Sequence, residues 1–162
     1  MDSSDTHFMA LALAEARQAG LRGEVPVGAL LVKGGEVIAS GSNAVIGLLD
    51  PTAHAEVLAL RGAGQILQNY RLPDCELFVT LEPCAMCAAA MIHARISRVV
   101  YGASDPKTGA AGGLLNVFDT TFNHQTKVQG GVMAEECSEL LKDFFKGKRQ
   151  AAKTPSPAPA KG

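Results

Sequence analysis

Two short patterns carry residues able to do chemistry together: the triplet HAE, with His54 and Glu56, and PCAMC at 83–87, with Cys84 and Cys87. Two cysteines three apart in a first helical turn present both sulfurs on one side. The positive end of the helix dipole favours the thiolates that bind metal. One imidazole nitrogen and two thiolates form a soft to borderline donor set that suits zinc, one ion per subunit. Three protein ligands leave one tetrahedral position for water. On a regular helix His54 and Glu56 would point roughly 200° apart. At a helix start, side chains tilt toward the N-terminus, so both can converge on a point ahead of the first turn. The expected arrangement is two helix N-termini facing each other across a metal, with Glu56 beside the ion and not bound to it.

Such a site suits hydrolysis. Zinc lowers the pKa of its water from about 15.7 to about 7, and the released proton needs an acceptor. Glu56 fills that role: in deamination of adenine it would take the proton from water, pass one to N1 as C6 is attacked, and pass another to the departing ammonia. The pattern H-x-E…P-C-x-x-C is the signature of zinc nucleobase deaminases, so this reading is in part recognition. A closed structural site with Cys75 as a fourth ligand is the main competitor. Cys75 would begin a strand about 17 Å long at roughly 3.3 Å per residue, whereas Cys84 follows its far end. A redox Cys-x-x-Cys leaves HAE without a purpose.

The surrounding elements must hold these two patterns. Residues 6–19 have helical apolar spacing, with Gly20 as a stop. VPVGALLV and EVIASG flank Gly34-Gly35 and predict a tight hairpin. Asp50-Pro51-Thr52 offers capping oxygens and an early-helix proline for a second helix beginning near His54. ELFVT at 76–80 reads as a buried strand, residues 85–94 as a helix and ISRVVYGA as another strand. LLNVF after a glycine-rich loop reads as a further short element, residues 126–129 as a last strand and 134–146 as a final helix. The fold class is α/β: a mixed five-stranded sheet with helices on both faces, a three-layer α/β/α sandwich. Residues 1–149 form one domain, and the Pro, Ala and Lys-rich stretch 150–162 reads as a disordered tail.

Hydrophobic residues make up 47% and charged residues 19% of the 162, the profile of a folded globular chain. No apolar run reaches the roughly 18 residues that span a bilayer, and residues 1–10 lack the pattern of a signal peptide, so the cytoplasm is the expected location. A net charge of −1 exerts no global pull on nucleic acid. Near the C-terminus, however, Lys142, Lys146, Lys148, Arg149, Lys153 and Lys161 stand against the acidic Asp143. That patch suits either a solvated helix end or a nucleic-acid partner. Cys75 and Cys137 read as core thiols, and His93 as a hydrogen-bonded structural histidine.

The zinc chemistry alone would serve cytidine, deoxycytidylate, guanine, cytosine or pterin-like substrates equally well. The stretches EVPVGA, DPTAHAE, QNYRL, TLEPCAMCAAAMIHARI, VVYGASDPKTGAAGG and LLKDFF decide further, because together they resemble the bacterial tRNA-specific adenosine deaminases. The resemblance implies a cytidine-deaminase-like fold, a homodimer, and a tRNA anticodon arm, that of an arginine tRNA, whose wobble adenosine is flipped into the zinc pocket and converted to inosine. It assigns His54, Cys84 and Cys87 as ligands and Glu56 as proton shuttle. Asn43, Asp105, Lys107 and Asn123 would contact the nucleotide or its backbone, and Phe145 and Arg149 would stack on and neutralise the RNA. The alternatives are a free-base or nucleoside deaminase of the guanine or cytosine type, and a non-catalytic zinc-stabilised RNA-binding module.

Overall fold

The computed structural model describes residues 3–153. Four helices and five strands follow the order α1 (Ser3–Leu21), β1 (Gly28–Lys33), β2 (Glu36–Ser42), α2 (Ala55–Leu67), β3 (Cys75–Leu81), α3 (Ala85–His93), β4 (Arg98–Ala103), β5 (Lys127–Gln129) and α4 (Ala134–Lys153). The strands form one sheet in the order β2-β1-β3-β4-β5. β1 is antiparallel to β2 and β3, while β3, β4 and β5 are parallel, so the sheet is mixed as expected. The hairpin turn is Gly34-Gly35, with Lys33 paired to Glu36 and both glycines at positive φ, which only glycine adopts freely.

Strand alternation divides the core into two layers. Leu30, Val32, Phe78 and Val100 pack beneath α1 and α4 with Met9, Leu13 and Cys137. Ala29, Leu31, Leu77, Val79 and Val99 face the other way, toward α2 and α3, with Ala59, Ala63, Met91 and Ile92. The result is the three-layer α/β/α sandwich. An ion-paired cluster pins α1 across the sheet: Arg98 donates to both oxygens of the buried Asp5, at 2.9 and 2.6 Å, and to Glu76 at 2.8 Å.

Four local expectations are corrected. LLNVF forms neither helix nor strand; it contributes one bridge, Ala111 to Asn116, in a loop that turns Phe118 inward. His93 is exposed in the last turn of α3 and is not held in the core as a structural histidine. Asp50 does not cap α2: its Oδ1 accepts from the N–H and hydroxyl of Thr52, at 2.8 and 2.7 Å, closing a turn of its own. The final helix passes Arg149 and runs to Lys153, because Gln150, Ala151 and Ala152 continue a helix-forming run that meets no proline before position 155. The rest of the expected tail, 154–162, lies outside the described residues.

Candidate active site

The chain direction of each strand brings one end of the sheet together: the start of β1 and the ends of β2, β3 and β4 lie side by side. The helices that follow β2 and β3 begin there. His54 is the N-cap of α2 and Cys84 the N-cap of α3, and neither uses its side chain for capping. α2 lies close on the sheet through Gly41, where a Cβ would collide with the Ala55 carbonyl and Ala59 amide. That approach fixes how far His54 and Glu56 reach beyond the strand ends.

The ligand atoms of His54, Cys84 and Cys87 all lie within 4.8 Å of one another. Nδ1 of His54 is 3.7 Å from Sγ of Cys84 and 3.5 Å from Sγ of Cys87, so Nδ1 is the imidazole ligand atom. The Cys84 thiol is pulled down to about 5, first by a hydrogen bond from Cys87, against burial, and then by the Cys87 and Met86 N–H groups and the charge of His54. Cys87 is pushed above the usual thiol range by its bond to Cys84, by burial and by the nearby Glu56. A thiol held low beside a second thiol is the kind of donor pair that gives up its proton to a divalent cation, and such a cation would be held here. One nitrogen and two sulfurs at this spacing fit zinc. Cys75, buried at the opposite end of β3 with its thiol toward the Pro73 carbonyl at 3.5 Å, is not part of the group, so the four-ligand site has no support among the described residues.

Glu56, only 4% exposed, sits in the first turn of α2. Burial pushes its carboxyl above the ordinary range, opposed by its own backbone N–H and reinforced by Cys84. A carboxyl raised in this way holds a proton more readily than an exposed one, which suits a group that must both accept and give one.

His54, Glu56 and Cys84 line a cavity of about 880 Å³. Its wall also carries Asn43, Asp105, Lys107, Phe145 and Arg149. Asn43 is partly committed, since its Oδ1 accepts from the Ala55 N–H at 2.9 Å and caps α2, while its Nδ2 has no hydrogen-bond partner among the described residues. Asp105 is committed more fully: Oδ1 accepts from the Lys107 and Thr108 N–H groups at 3.0 and 3.1 Å, and Oδ2 from the Thr108 hydroxyl at 2.7 Å. Burial opposes ionisation of Asp105, but the Thr108 hydroxyl and these N–H groups outweigh it and hold its carboxyl low. Phe145 is 43% exposed and lines the cavity, whereas its T-shaped neighbour Phe144 is half-buried. Phe122 and Asn123 are exposed in the loop before β5 and do not line the cavity.

Two carboxylates beside the cavity escaped the sequence reading. Glu24 accepts the Ile46 and Gly47 N–H groups at 3.0 and 2.8 Å, and Glu82 accepts three N–H groups from the loop after β4. Both are charged residues at the edge of apolar runs, and only the fold shows that they are buried.

Comparison with known proteins places this geometry. The description "Cytidine and deoxycytidylate deaminase zinc-binding region" matches residues 2–103. The chain is 50% identical to a tRNA-specific adenosine deaminase of Haemophilus influenzae over 151 residues, covering 92% of this chain and 87% of the relative. Its identity to the enzyme of that name from Agrobacterium fabrum is 51% over 145 residues, covering 89% and 95%. A solved structure described in a study of A-to-I editing by tRNA:A34 deaminases at the wobble position superposes with a TM-score of 0.80 at 51% identity, covering 84% of this chain and 99% of that one. The His54, Cys84 and Cys87 group accordingly provides for one zinc ion per subunit. With its metal-binding region, its fold and nearly its whole described length in common with these relatives, this chain belongs to the zinc-dependent cytidine and deoxycytidylate deaminase family, among the tRNA-specific adenosine deaminases.

Proposed function

We propose that the chain hydrolyses adenosine to inosine at the wobble position of a tRNA, releasing ammonia. The observation that carries this reading is the burial of Glu56 beside the His54, Cys84 and Cys87 group in a cavity rimmed by Phe145 and Arg149. Zinc, when bound there, supplies an activated water. Glu56 would take a proton from that water as the C6–O bond forms and deliver it to N1, then take the second proton from the new C6 hydroxyl and deliver it to the amino group as the C6–N bond breaks. The Nδ2 of Asn43, on the cavity wall, is free to donate to the flipped nucleotide.

Recognition of the RNA falls to the rim. Phe145 offers a stacking face, and Lys107, Lys142 and Arg149 offer charge to phosphates. Asp105 acts by shaping the turn that presents Lys107, and Asn123 would meet RNA only outside the cavity. An anticodon arm of an arginine tRNA is the proposed substrate. A second copy of the chain is proposed to cover a surface cleft of about 960 Å³ along α2 and α3, lined by Val57, Leu60, Tyr70 and Ala90. Among the described residues no helix is long and apolar enough to cross a membrane, and the proposed place of action is the cytoplasm.

The test is inosine formation on an anticodon stem-loop by the zinc-loaded protein, with Glu56→Ala as control. Wild-type protein should convert the wobble adenosine, and Glu56→Ala should retain zinc and fold but lose conversion by roughly 100-fold or more. Ammonia release from a free base without turnover of RNA would reject the substrate assignment.

A further inference from the structure

Glu82 is a side chain that the chemistry above does not use, although it is 3% exposed and borders the cavity. It stands between β3 and the ligand Cys84 in sequence, yet both its oxygens point to another segment. Oε1 accepts the Asp105 N–H at 2.9 Å; Oε2 accepts the Ala111 N–H at 2.9 Å and the Gly113 N–H at 2.8 Å. One carboxylate thus ties both ends of the 105–113 loop to the end of β3. The loop is shaped to receive it. A Cβ at Gly109 would collide with the carboxylate of Glu82, and one at Gly113 would lie 2.7 Å from Oε1 and overlap the Asp105 carbonyl. The glycine-rich TGAAGG sequence is therefore the complement of a buried carboxylate, and not merely a hinge.

What the loop carries gives this anchor a function. Asp105, Pro106, Lys107 and Thr108 form one wall of the cavity, on the opposite flank of the sheet end from Asn43. The ligand residues and Glu56 are carried by α2 and α3, and the loop meets that segment through the Ala110 N–H, which donates to the Pro83 carbonyl at 2.8 Å. We propose that Glu82 is a positioning residue for the RNA: it sets the wall formed by residues 105–108 before substrate arrives, and so controls binding of the strand and not the proton transfers. The proposal rests on the tRNA reading above.

Replacing Glu82 with Gln turns an acceptor into an N–H₂ group facing N–H donors and releases at least one end of the loop. Gly113→Ala leaves the carboxylate chemically intact but drives a Cβ against its Oε1 and the Asp105 carbonyl, prising the same loop from its other side. For both variants, steady-state inosine formation on an anticodon stem-loop should show KM raised about tenfold with kcat within about twofold of wild type. Zinc content should stay at the wild-type value, and the melting temperature, though lowered by the lost hydrogen bonds, should stay well above the assay temperature, so that the change in KM is read on folded, zinc-loaded protein. An unchanged KM, a loss of kcat at constant KM, or loss of zinc or fold in both variants would each overturn the proposal. If the wild-type protein makes no inosine at all, it is the tRNA reading that fails; direct binding of the stem-loop by fluorescence anisotropy, weakened in both variants, still tests the positioning role.

Discussion

The Nδ1 of His54 stands 3.5 Å from the Sγ of Cys87, although 33 positions of chain separate them. Two helix N-caps bring this about. His54 caps α2 and Cys84 caps α3, both with extended backbone, and at neither does the side chain accept the N–H that a capping residue ordinarily takes. Each forgoes about 1 kcal/mol of capping and turns instead toward the other helix, leaving Asn43 to cap α2 from a distant strand end.

His54→Ala should reduce bound zinc from one per chain to a small fraction of that, as read by elemental analysis of the purified protein. Because the metal binds the folded state, chelation should also lower the melting temperature of the wild type. Free zinc at about 100 times its dissociation constant adds about 2.7 kcal/mol of stability. A wild-type protein whose melting temperature ignores chelator would contradict the assigned site.

Asn43→Ala removes the acceptor for the Ala55 N–H as well as the Nδ2 donors. Loss of the cap should cost about 1 kcal/mol, visible in urea denaturation. Deamination should fall further than that loss of stability explains, because the nucleotide loses a partner. Equal activity per folded molecule would remove Asn43 from substrate binding.

Phe145→Ala should raise KM for the stem-loop by a factor corresponding to about 1 to 3 kcal/mol of lost stacking. Phe144→Ala should instead lower stability, since that ring is half-buried against its neighbours. Arg149→Gln should flatten the dependence of log K on log salt by about 0.7 if it contacts one phosphate of single-stranded RNA. Binding measured across a salt series separates these contributions.

The carboxyl of Glu24 is held below the ordinary carboxylate range, first by the Gly47 N–H, against burial, with help from the Ile46 N–H and the charge of Arg22. A lowered folded-state pKa means stability that is present above the unfolded value of about 4.3 and lost as pH falls through the folded value. Wild-type protein should therefore melt higher than Glu24→Gln at pH 7, and the gap should close as the medium becomes more acid than about pH 4. A gap that is constant across this range would show that Glu24 stabilises the 44–50 loop without its charge.

Several features of this site were legible because they are local. HAE and PCAMC declare their chemistry by residue type and spacing, and the direction of side chains at a helix start explains how His54 and Glu56 share a site despite lying two apart. The alternating apolar strands between β1 and β4 likewise specify a sheet covered on both faces, as observed. Asp50 misled for an instructive reason: an Asp before a helix is a good cap in general, but here Thr52 offers it two nearer donors.

By itself the sequence determined the His54, Cys84 and Cys87 group and the α/β/α layering and singled out Glu56 as the proposed shuttle, since each follows from neighbours in the chain or from a repeating pattern. The tertiary structure decided which polar groups were already taken. Asp105 is consumed by its own turn, the Oδ1 of Asn43 by α2, and Glu82 and Glu24 by backbone N–H groups more than twenty residues away in the chain. A hydrogen bond between distant segments has no signature in either one alone. It exists only once the strand order β2-β1-β3-β4-β5 has set those strand ends side by side.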